Sequence, residues 1–387
     1  MRITIVSGFF LPIPPAAGGA TEKSWYELAR RFAAQGHAVT IVSRRWPGWA
    51  NDETVDGIRH LRLTGYDHGR KLALNLLLDF LWSWRVFFAL PAADIVVVNA
   101  VALPAWLGLL KRSAGRVVVM TGRMPKGQYR TYRRIALVLA ASSYVRDRVT
   151  AENPALAAVT RIYGYPLDWS SLHDPAPVRR DPVTIGYVGR LHEEKGLRLL
   201  TAALEILART PGLPPWRVVV CGPSDVARGG SGPEFKASLE RRLTAALPAG
   251  AVSFLEPRFD PRALTEVYRA LDIFCYPSLA EQGETFGLAV AEAMAAGAVP
   301  VVSQLACFTD FVRDGTNGQV FDHRGTMPEA ALAESLALLL RDSGLRRRQA
   351  TAATETARRY DHAAYADAAL ADFGRLTGLP NPASSAP

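Results

Sequence analysis

Short apolar runs with the length of buried strands alternate with helical segments along almost the whole chain. In the first half we predict a helix near 21–35 and strands at 3–6, 39–43, 95–99, 117–120 and 137–140. The alternation resumes in the second half, with predicted strands at 183–188, 217–221, 252–254, 272–276 and 299–303. This pattern is typical of α/β proteins whose parallel sheets are covered by helices on both faces. It predicts two doubly wound, Rossmann-like sheets that face each other across a cleft.

The chain is long enough to form two hydrophobic cores. Its 387 residues fit two domains of roughly 150 to 200 residues each. A polar, proline-rich stretch that ends at Pro182 indicates a linker between them, and helical segments are predicted near 329–340 and 346–376. We therefore predict an amino-terminal domain, a linker, a second domain, and a carboxy-terminal helix that packs back on the first domain and ends in a disordered tail. Their predicted bounds are 1–170, 171–182, 183–360 and 361–387.

The segment 283–303 has the most informative functional pattern, and its sequence is GETFGLAVAEAMAAGAVPVVS. Strong helix formers follow Gly287, so Glu284 is expected on the loop before a short helix and Glu292 one turn inside it. The first backbone N–H groups of that helix can bind an anion such as a diphosphate. The two carboxylates can accept hydrogen bonds from sugar hydroxyls. This predicts a nucleotide-sugar site, with an ordinary helix and two solvated glutamates as the alternative.

Two more loops at predicted strand ends have residues suited to anion binding. The loop GRLHEEKG begins at Gly189 and places Arg190 and Lys195 where two cations can hold a diphosphate and neutralise a leaving nucleotide. The loop after the first strand enters a helix through Gly18 and Gly19, which allow the backbone to approach a phosphate or sugar closely. Either loop can also be a simple turn. No G-x-G-x-x-G follows the first strand, which disfavours a hydride-transfer enzyme.

Together, VGRLHEEKG and PSLAEQGETFGLAVAEAMAAGAVPVVS resemble the retaining glycosyltransferases of family 4, which have the two-domain GT-B fold. Glu284 and Glu292 are separated by seven residues and match the family's pair of glutamates. The stretch GGATEKSWYELARRFAAQGHAVTIVS resembles the family's glycine loop, first helix and second strand. The resemblance extends over nearly the whole chain and is most specific from Val183 onward.

The resemblance implies a role for each candidate residue. Arg190 and Lys195 would hold the donor diphosphate, and Glu284 would contact the transferred sugar near C1, so these three are the predicted catalytic residues. Glu292 would bind the ribose, and the backbone amides of 286–288 would complete the sugar and phosphate site. The remaining predicted donor-binding residues are Gly18, Gly19, Gly189, Phe286, Gly287 and Leu288. Enzymes of this type generally need no metal or cofactor, so the nucleotide sugar is expected to bind as the donor substrate alone.

Three features differ from the family pattern. Asn99 and Thr121-Gly122 stand where many members have a histidine. Three extra residues lie between Ser278 and Glu284, and the segment FLEPR stands where a glycine is frequent. These differences leave the acceptor contacts and the recognition of the nucleotide base open.

Basic residues are concentrated in the amino-terminal half. Residues 1–173 contain 22 basic residues (Lys plus Arg) and 11 acidic residues (Asp plus Glu). The rest of the chain contains 23 basic and 25 acidic residues. This surplus favours an anionic membrane surface or a lipid-linked acceptor as a partner, and no nucleic-acid-binding motif accompanies it. The apolar run 72–90 is interrupted by Asn75, Asp79 and Arg85. We therefore predict a helix that packs on its domain or lies on a membrane, rather than one that spans it.

The three cysteines lie in or beside apolar runs and have no metal-ligand spacing. They indicate buried thiols in a reducing compartment. No targeting segment precedes the first predicted strand, so the expected location is the cytoplasm. Peripheral attachment to the cytoplasmic face of the inner membrane is the related alternative.

These observations predict a metal-independent glycosyltransferase of the hexosyltransferase type. It would move a sugar from a nucleotide-diphosphate sugar to a hydroxyl acceptor and retain the anomeric configuration. The expected acceptor is a glycan or lipid-linked glycan in the assembly of cell-surface polysaccharide or glycolipid. Two alternatives are a nucleotide-sugar-binding partner subunit without turnover, suggested by the missing histidine, and a nucleotide-sugar epimerase.

Overall fold

The computed structural model of the chain describes residues 1–16, 19–67, 69, 71–174 and 181–379. They form two compact units. The first contains the residues up to Pro166 and those from His362 onward, and the second contains Leu167–Asp361. Three predicted features lie outside the described residues: Gly18, positions 175–180 of the predicted linker, and the predicted tail from 380 onward.

The helices alternate with the strands in both units. In chain order they are α1 (Ala20–Ala34), α2 (Leu72–Ala89), α3 (Leu107–Leu110), α4 (Ser143–Glu152), α5 (Trp169–Leu172), α6 (Leu197–Ala208), α7 (Pro233–Ala246), α8 (Pro261–Arg269), α9 (Leu288–Ala295), α10 (Pro328–Arg341), α11 (Ser343–Arg358) and α12 (His362–Thr377). The predicted helical stretch 346–376 is therefore two helices, α11 and α12. The chain leaves the second unit between them.

The first unit is built on an eight-stranded sheet. Its strands are β1 (Arg2–Val6), β2 (Ala38–Arg44), β3 (Asp52–Val55), β4 (Ile58–Leu63), β5 (Ile95–Val98), β6 (Arg116–Met120), β7 (Ile135–Ala140) and β8 (Thr160–Ile162). Their order is β3-β4-β2-β1-β5-β6-β7-β8. All neighbours pair in parallel except β3, which pairs antiparallel with β4 at one edge. Apolar side chains of the central strands are buried on both faces, as the continuous apolar runs predict.

The second unit is built on a six-stranded parallel sheet. Its strands are β9 (Val183–Val188), β10 (Trp216–Cys221), β11 (Val252–Leu255), β12 (Ile273–Tyr276), β13 (Val299–Ser303) and β14 (Gln319–Phe321). The order β11-β10-β9-β12-β13-β14 reverses direction between β9 and β12. In sheets of this kind, ligands bind beyond the carboxyl ends of the strands at that reversal point. The fold therefore directs attention to the loops that follow β9 and β12.

Helix α12 belongs to the first unit although it is last in the sequence. The ring of Phe373 is fully buried and lies 6.1 Å from the ring of Phe32 in α1. The carboxylate of Asp372 pairs with Arg161 and accepts a hydrogen bond from Tyr163. Apolar packing and this polar cluster hold the end of the chain on the first unit.

Candidate functional site

The predicted site residues of the second unit lie on two loops at the reversal point of its sheet. The loop after β9 contains Arg190 and Lys195, and the loop after β12 passes through Glu284 to the start of α9. Because β9 and β12 are neighbouring parallel strands, both loops leave the same edge of the sheet. Residues 89 positions apart in sequence are thereby brought into contact.

Gly196 allows the two loops to approach each other. Its φ is +70°, and a Cβ atom added there would lie 1.9 Å from the carbonyl oxygen of Pro277. A side chain at this position would clash with the backbone of the opposite loop. The glycine therefore sets the distance at which Lys195 faces the end of β12.

Lys195 and Glu284 form a nearly buried ion pair. Nζ of Lys195 lies 2.7 Å from Oε2 of Glu284, and the two side chains are 8% and 11% exposed. The same oxygen accepts hydrogen bonds from the hydroxyl groups of Tyr276 (3.3 Å) and Ser278 (3.2 Å). The positive charge and the two hydroxyl donors offset the cost of burying the carboxylate. They also fix the position of that carboxylate at the end of β12.

Two stacked tyrosines support the ion pair. The rings of Tyr187 and Tyr276 lie 5.8 Å apart and are inclined by 7°. The hydroxyl of Tyr187 donates to the carbonyl oxygen of Arg190 (2.8 Å) and so holds the loop after β9. Burial, and secondarily the charge of Glu284, raises the pKa of both hydroxyls well above the ordinary value. Both tyrosines therefore stay neutral hydrogen-bond donors at physiological pH.

The guanidinium of Arg190 is held apart from the ion pair. It donates to the carboxylate of Glu194 (2.9 Å) and to the carbonyl oxygen of Gly229 (2.9 Å). The side chains of Arg190 and Glu194 are 44% and 38% exposed. An exposed pair of this kind contributes about 0 to 1 kcal/mol, so a diphosphate can replace Glu194 at little cost. Of the two predicted cations, Lys195 therefore contacts Glu284, whereas Arg190 contacts Glu194.

Helix α9 begins directly after the loop that holds Glu284. Gly287 precedes it with a φ of +89°, and a Cβ atom there would lie 2.5 Å from the ring of Phe308. In the described part of the chain, no side chain caps the first turn of α9. An anionic ligand can take the place of the missing cap. The side chain of Phe286 is buried in the core, so its backbone is the part that can face a ligand.

Glu292 has a partner within the protein. The hydroxyl of Tyr268 donates to Oε2 of Glu292 at 2.7 Å. We expected ribose hydroxyls to supply the donors for this carboxylate, and the structure shows that Tyr268 supplies one of them. Burial, followed by the charge of Glu292, raises the pKa of Tyr268 well above the ordinary value. A carboxylate can accept about four hydrogen bonds, so the bond from Tyr268 does not by itself exclude a ribose.

Four polar residues of the site were not predicted from the sequence: Tyr187, Tyr268, Tyr276 and Ser278. A usable indication was present for two of them, because Tyr276 and Ser278 lie at and just beyond the end of the predicted strand 272–276. Polar side chains at strand ends commonly face the ligand crevice. The ring contact of Tyr187 with Tyr276 and the hydrogen bond of Tyr268 to Glu292 join separate elements, and neither had a local indication in the sequence.

The extra residues before Glu284 form a loop that Glu281 holds in place. Its carboxylate lies 2.7 Å from the guanidinium of Arg324 and 2.9 Å from Nε2 of His323. The hydrogen bond from Arg324 is the main reason that the pKa of Glu281 is lowered. The insertion is therefore tied to the loop after β14.

In the first unit, the residues that replace the family histidine hold the sheet together. Asn99 accepts from Nε1 of Trp25 (3.0 Å) and donates to the carbonyl oxygen of Val6 (3.1 Å). The hydroxyl of Thr121 donates to the carbonyl oxygen of Leu139 (3.0 Å). These contacts assign structural roles to Asn99 and Thr121.

Of the two glycines predicted to bind the donor in the first unit, Gly19 is described by the structure. It directly precedes α1, with a backbone φ of +94°.

The first unit also contains two buried carboxyl groups that were not predicted as candidate residues, those of Glu22 and Asp79. Burial raises the pKa of Glu22 in α1 and of Asp79 in α2, and the charge of exposed Arg123 opposes both shifts in part. The oxygens of Asp79 accept hydrogen bonds from the backbone amides of Val101 (3.2 Å) and Ala102 (2.7 Å). Asp79 therefore positions the loop after β5. Glu22 lies in the first turn of α1, directly after the glycine loop.

No group of three or more His, Cys, Asp and Glu side chains in the described ranges could hold a metal ion. The three cysteines are free and buried. Burial raises the pKa of Cys275 and Cys307, so both stay protonated. Metal independence stays a prediction to be tested with a chelator.

The second half of the chain is similar in sequence to a known protein family. The family model for glycosyl transferases group 1 matches residues 171–356. The D-inositol 3-phosphate glycosyltransferase of Corynebacterium urealyticum is 37% identical over 177 residues, which are 46% of this chain and 39% of that protein. The phosphatidyl-myo-inositol mannosyltransferase of Mycobacterium tuberculosis is 30% identical over 227 residues, or 58% and 52% of the two chains. This chain thus spans about half the length, or less, of these curated relatives.

Among solved structures, sucrose-phosphate synthase from Thermosynechococcus elongatus matches with a TM-score of 0.74 and 20% identity. The match covers 98% of this chain and 100% of that chain. At this identity the likeness concerns the fold alone, and it confirms the predicted GT-B fold.

Proposed function

Because residues 171–356 belong to the group 1 glycosyltransferases, as the sequence resemblance predicted, we propose that the chain transfers a sugar from a nucleotide-diphosphate sugar to a hydroxyl acceptor. The proposed transfer retains the anomeric configuration. The main structural support is the buried pair of Lys195 and Glu284 beside the uncapped start of α9. It combines a fixed carboxylate for sugar hydroxyls with a cation and a helix start for a diphosphate.

In the proposed reaction, the bond between C1 of the sugar and the diphosphate oxygen breaks. Negative charge develops on the leaving diphosphate, where Lys195 and the amides of α9 stabilise it. Arg190 joins them when the diphosphate displaces Glu194. Glu284, held by Tyr276 and Ser278, orients the sugar. The acceptor hydroxyl forms the new bond to C1 on the same face, and its proton leaves with the diphosphate.

The proposed acceptor is lipid-linked and is used in the assembly of cell-surface polysaccharide or glycolipid. One relative is named for inositol 3-phosphate and another for phosphatidyl-myo-inositol. The net positive charge of residues 1–173 is consistent with a phosphate-bearing acceptor of this kind. The proposed location is the cytoplasmic side of the membrane, where such a lipid can be reached.

The test begins with a screen of nucleotide sugars by thermal shift, followed by measurement of nucleoside-diphosphate release with and without acceptors. We expect Lys195→Met and Glu284→Gln to lower turnover about 10²-fold or more, because each removes a group that acts on the developing charge or on the sugar. Glu284→Gln should change nucleoside-diphosphate affinity little, whereas Glu292→Gln should weaken it. Added chelator should have no effect.

A matched control is Glu205→Gln, which breaks an ion pair with Arg242 elsewhere in the same unit. It should retain the activity of the unchanged protein. Wild-type turnover in both Lys195→Met and Glu284→Gln would reject the proposed site. Binding of a nucleotide sugar without consumption would favour the partner-subunit alternative, and conversion of the donor without acceptor would favour the epimerase.

A further inference from the structure

Helix α2 exposes a broad apolar face on the first unit. Seven of its large apolar side chains are at least 41% exposed: Leu72, Leu74, Leu76, Leu77, Phe80, Leu81 and Phe88. Leu109 and Leu110 of α3 are 39% and 62% exposed. Trp106 joins the two helices, since its ring lies 5.4 Å from that of Trp84 and 5.6 Å from that of Phe80. Contiguous apolar surfaces of this size mark interaction sites.

The opposite face of α2 attaches the helix to the unit. Nε1 of Trp82 donates to the carbonyl oxygen of Ser7 (3.2 Å), and Asp79 accepts from two backbone amides. By length and composition this helix could cross a membrane. A spanning helix would break these contacts and bury Asp79 in lipid without its donors. The buried contacts therefore favour a helix that lies on a surface.

The segment that borders the α3 side of the apolar face is rich in cations. No Asp or Glu occurs between Asp94 and Asp147, and Asp79, the one acidic residue of α2, is buried. The backbone of Arg134 borders α3, because a Cβ atom on Gly108 would lie 2.9 Å from its carbonyl oxygen. The segment that leads to Arg134 has five exposed cations: Arg123, Lys126, Arg130, Arg133 and Arg134. Within the described part of the chain, none of these five side chains forms a salt bridge.

We propose that this face, formed by α2, α3 and the basic segment 123–134, docks the first unit on an anionic lipid bilayer. Helix α2 lies in the plane of the membrane with its leucines and phenylalanines at the boundary of headgroups and acyl chains. Tryptophans such as Trp84 and Trp106 are typical of that depth. The basic segment lies against the lipid phosphates. The combination of an apolar face with unpaired cations and no exposed acid in these elements fits a bilayer better than a protein partner.

The docking surface goes beyond the proposed sugar transfer and is tested without any nucleotide sugar. The full chain is mixed with vesicles of phosphatidylcholine alone, or of phosphatidylcholine with phosphatidylglycerol, and sedimented. We expect binding to the anionic vesicles at about 0.1 M salt. Binding should weaken strongly at about 1 M salt, where the Debye length falls from about 10 Å to about 3 Å.

Two variants separate the apolar and the ionic contributions. Leu76→Gln with Leu77→Gln should lower partition into anionic vesicles by about tenfold or more, because two exposed leucines no longer enter the acyl boundary. Lys126→Gln with Arg130→Gln and Arg133→Gln should lower it on the order of a hundredfold at low salt. The second effect should vanish at high salt, whereas the first should persist.

Matched controls lie on the second unit. Met327→Gln with Leu338→Gln removes two apolar side chains that are 65% and 43% exposed. Replacement of Arg241, Arg347 and Arg348 by Gln removes the same charge as the basic triple variant. Both controls should bind vesicles like the unchanged protein, and all variants should keep its thermal unfolding and its nucleotide binding.

Three results would overturn the proposal. One is failure of the unchanged protein to sediment with anionic vesicles at low salt. Another is equal binding by the leucine variant and by its control. A third is self-association in solution that the leucine variant abolishes, which would assign the face to a second copy of this chain. Each result leaves the sugar-transfer proposal intact, because that proposal is measured by donor consumption.

Discussion

Gly196 shows at the scale of one residue how the candidate site depends on backbone geometry. We predict that Gly196→Ala lowers the free energy of unfolding by more than Gly212→Ala does. Both glycines have positive φ, +70° and +72°, and Ala in this region costs roughly 1 to 2 kcal/mol. A Cβ atom on Gly212 meets nothing within 4 Å, whereas one on Gly196 meets the backbone of Pro277 at 1.9 Å. Urea denaturation of the two variants measures the difference.

The same substitution should also affect binding. Displacement of the loop after β9 moves Lys195 away from Glu284, so Gly196→Ala should bind nucleoside diphosphates several-fold more weakly than Gly212→Ala. Equal stability and equal affinity in the two variants would show that the approach of the two loops is not required.

The candidate site was only partly predictable at this scale. Glu284 and Lys195 could be predicted as site residues because each lies in a loop that has glycines and follows a predicted strand. That pattern is local in the sequence. Their direct contact was not predicted, since it depends on the order of β9 and β12 in the sheet. Arg190 was expected beside Lys195, but its guanidinium donates to the carboxylate of Glu194, in the same loop.

At the scale of elements, long apolar strands and strongly periodic helices were predicted well. The strands that were missed are β3, β4, β8 and β14, which lie at or next to sheet edges. The short, mostly exposed β3 has the sequence DETV, and half of the residues of β4 are basic: Arg59, His60 and Arg62. Edge strands need little apolar surface, so their sequences resemble loops. Helix α2 was recognised as apolar, but which of its faces is buried depended on Trp82 and Asp79.

Three elements around the site each contribute one buried tyrosine, namely Tyr187 of β9, Tyr268 of α8 and Tyr276 of β12. Burial holds the pKa of all three well above the ordinary value. Above about pH 10 an unfolded chain releases these protons while the folded chain keeps them. The unfolded state then binds fewer protons, so we predict that the free energy of unfolding falls as pH rises above about 10. Below that pH these groups add no pH dependence.

Tyr268→Phe tests this prediction. The substitution removes one titratable hydroxyl group. Above about pH 10, the free energy of unfolding should therefore fall less steeply, by up to about 1.4 kcal/mol per pH unit. Urea denaturation at a series of alkaline pH values measures the slope. Identical slopes in the variant and the unchanged protein would mean that Tyr268 ionises in the folded state as easily as in the unfolded one.

At the scale of the whole molecule, the alternation of strands and helices was sufficient to predict two α/β units, and the family resemblance of the segments around Arg190 and Glu284 implied the GT-B fold. A carboxy-terminal helix within 361–387 was also expected to pack back on the first domain. The second unit ends at Asp361, and α12 then completes the first unit. The sequence between α11 and α12 has no proline-rich linker that would mark this crossing.

The return of α12 leads to a prediction about the stability of the first unit. We expect Phe373→Ala to lower the free energy of unfolding of that unit by about 3 to 5 kcal/mol, because a fully buried ring that packs on Phe32 is lost. Asp367→Ala is the matched control in the same helix. It removes only an exposed hydrogen bond to Gln35 and should change stability by about 0.5 kcal/mol or less.

Hydrogen exchange followed by mass spectrometry locates the effect. Amides of β1, β2 and α1 should exchange faster in Phe373→Ala, since local protection falls with the stability of the unit that contains them. Amides of β9 and β12 should keep their protection, because their core is formed by Leu167–Asp361 alone. If Phe373→Ala left the first unit fully protected, the last helix would not be part of its core. If protection fell equally in both units, the two would unfold as one cooperative body.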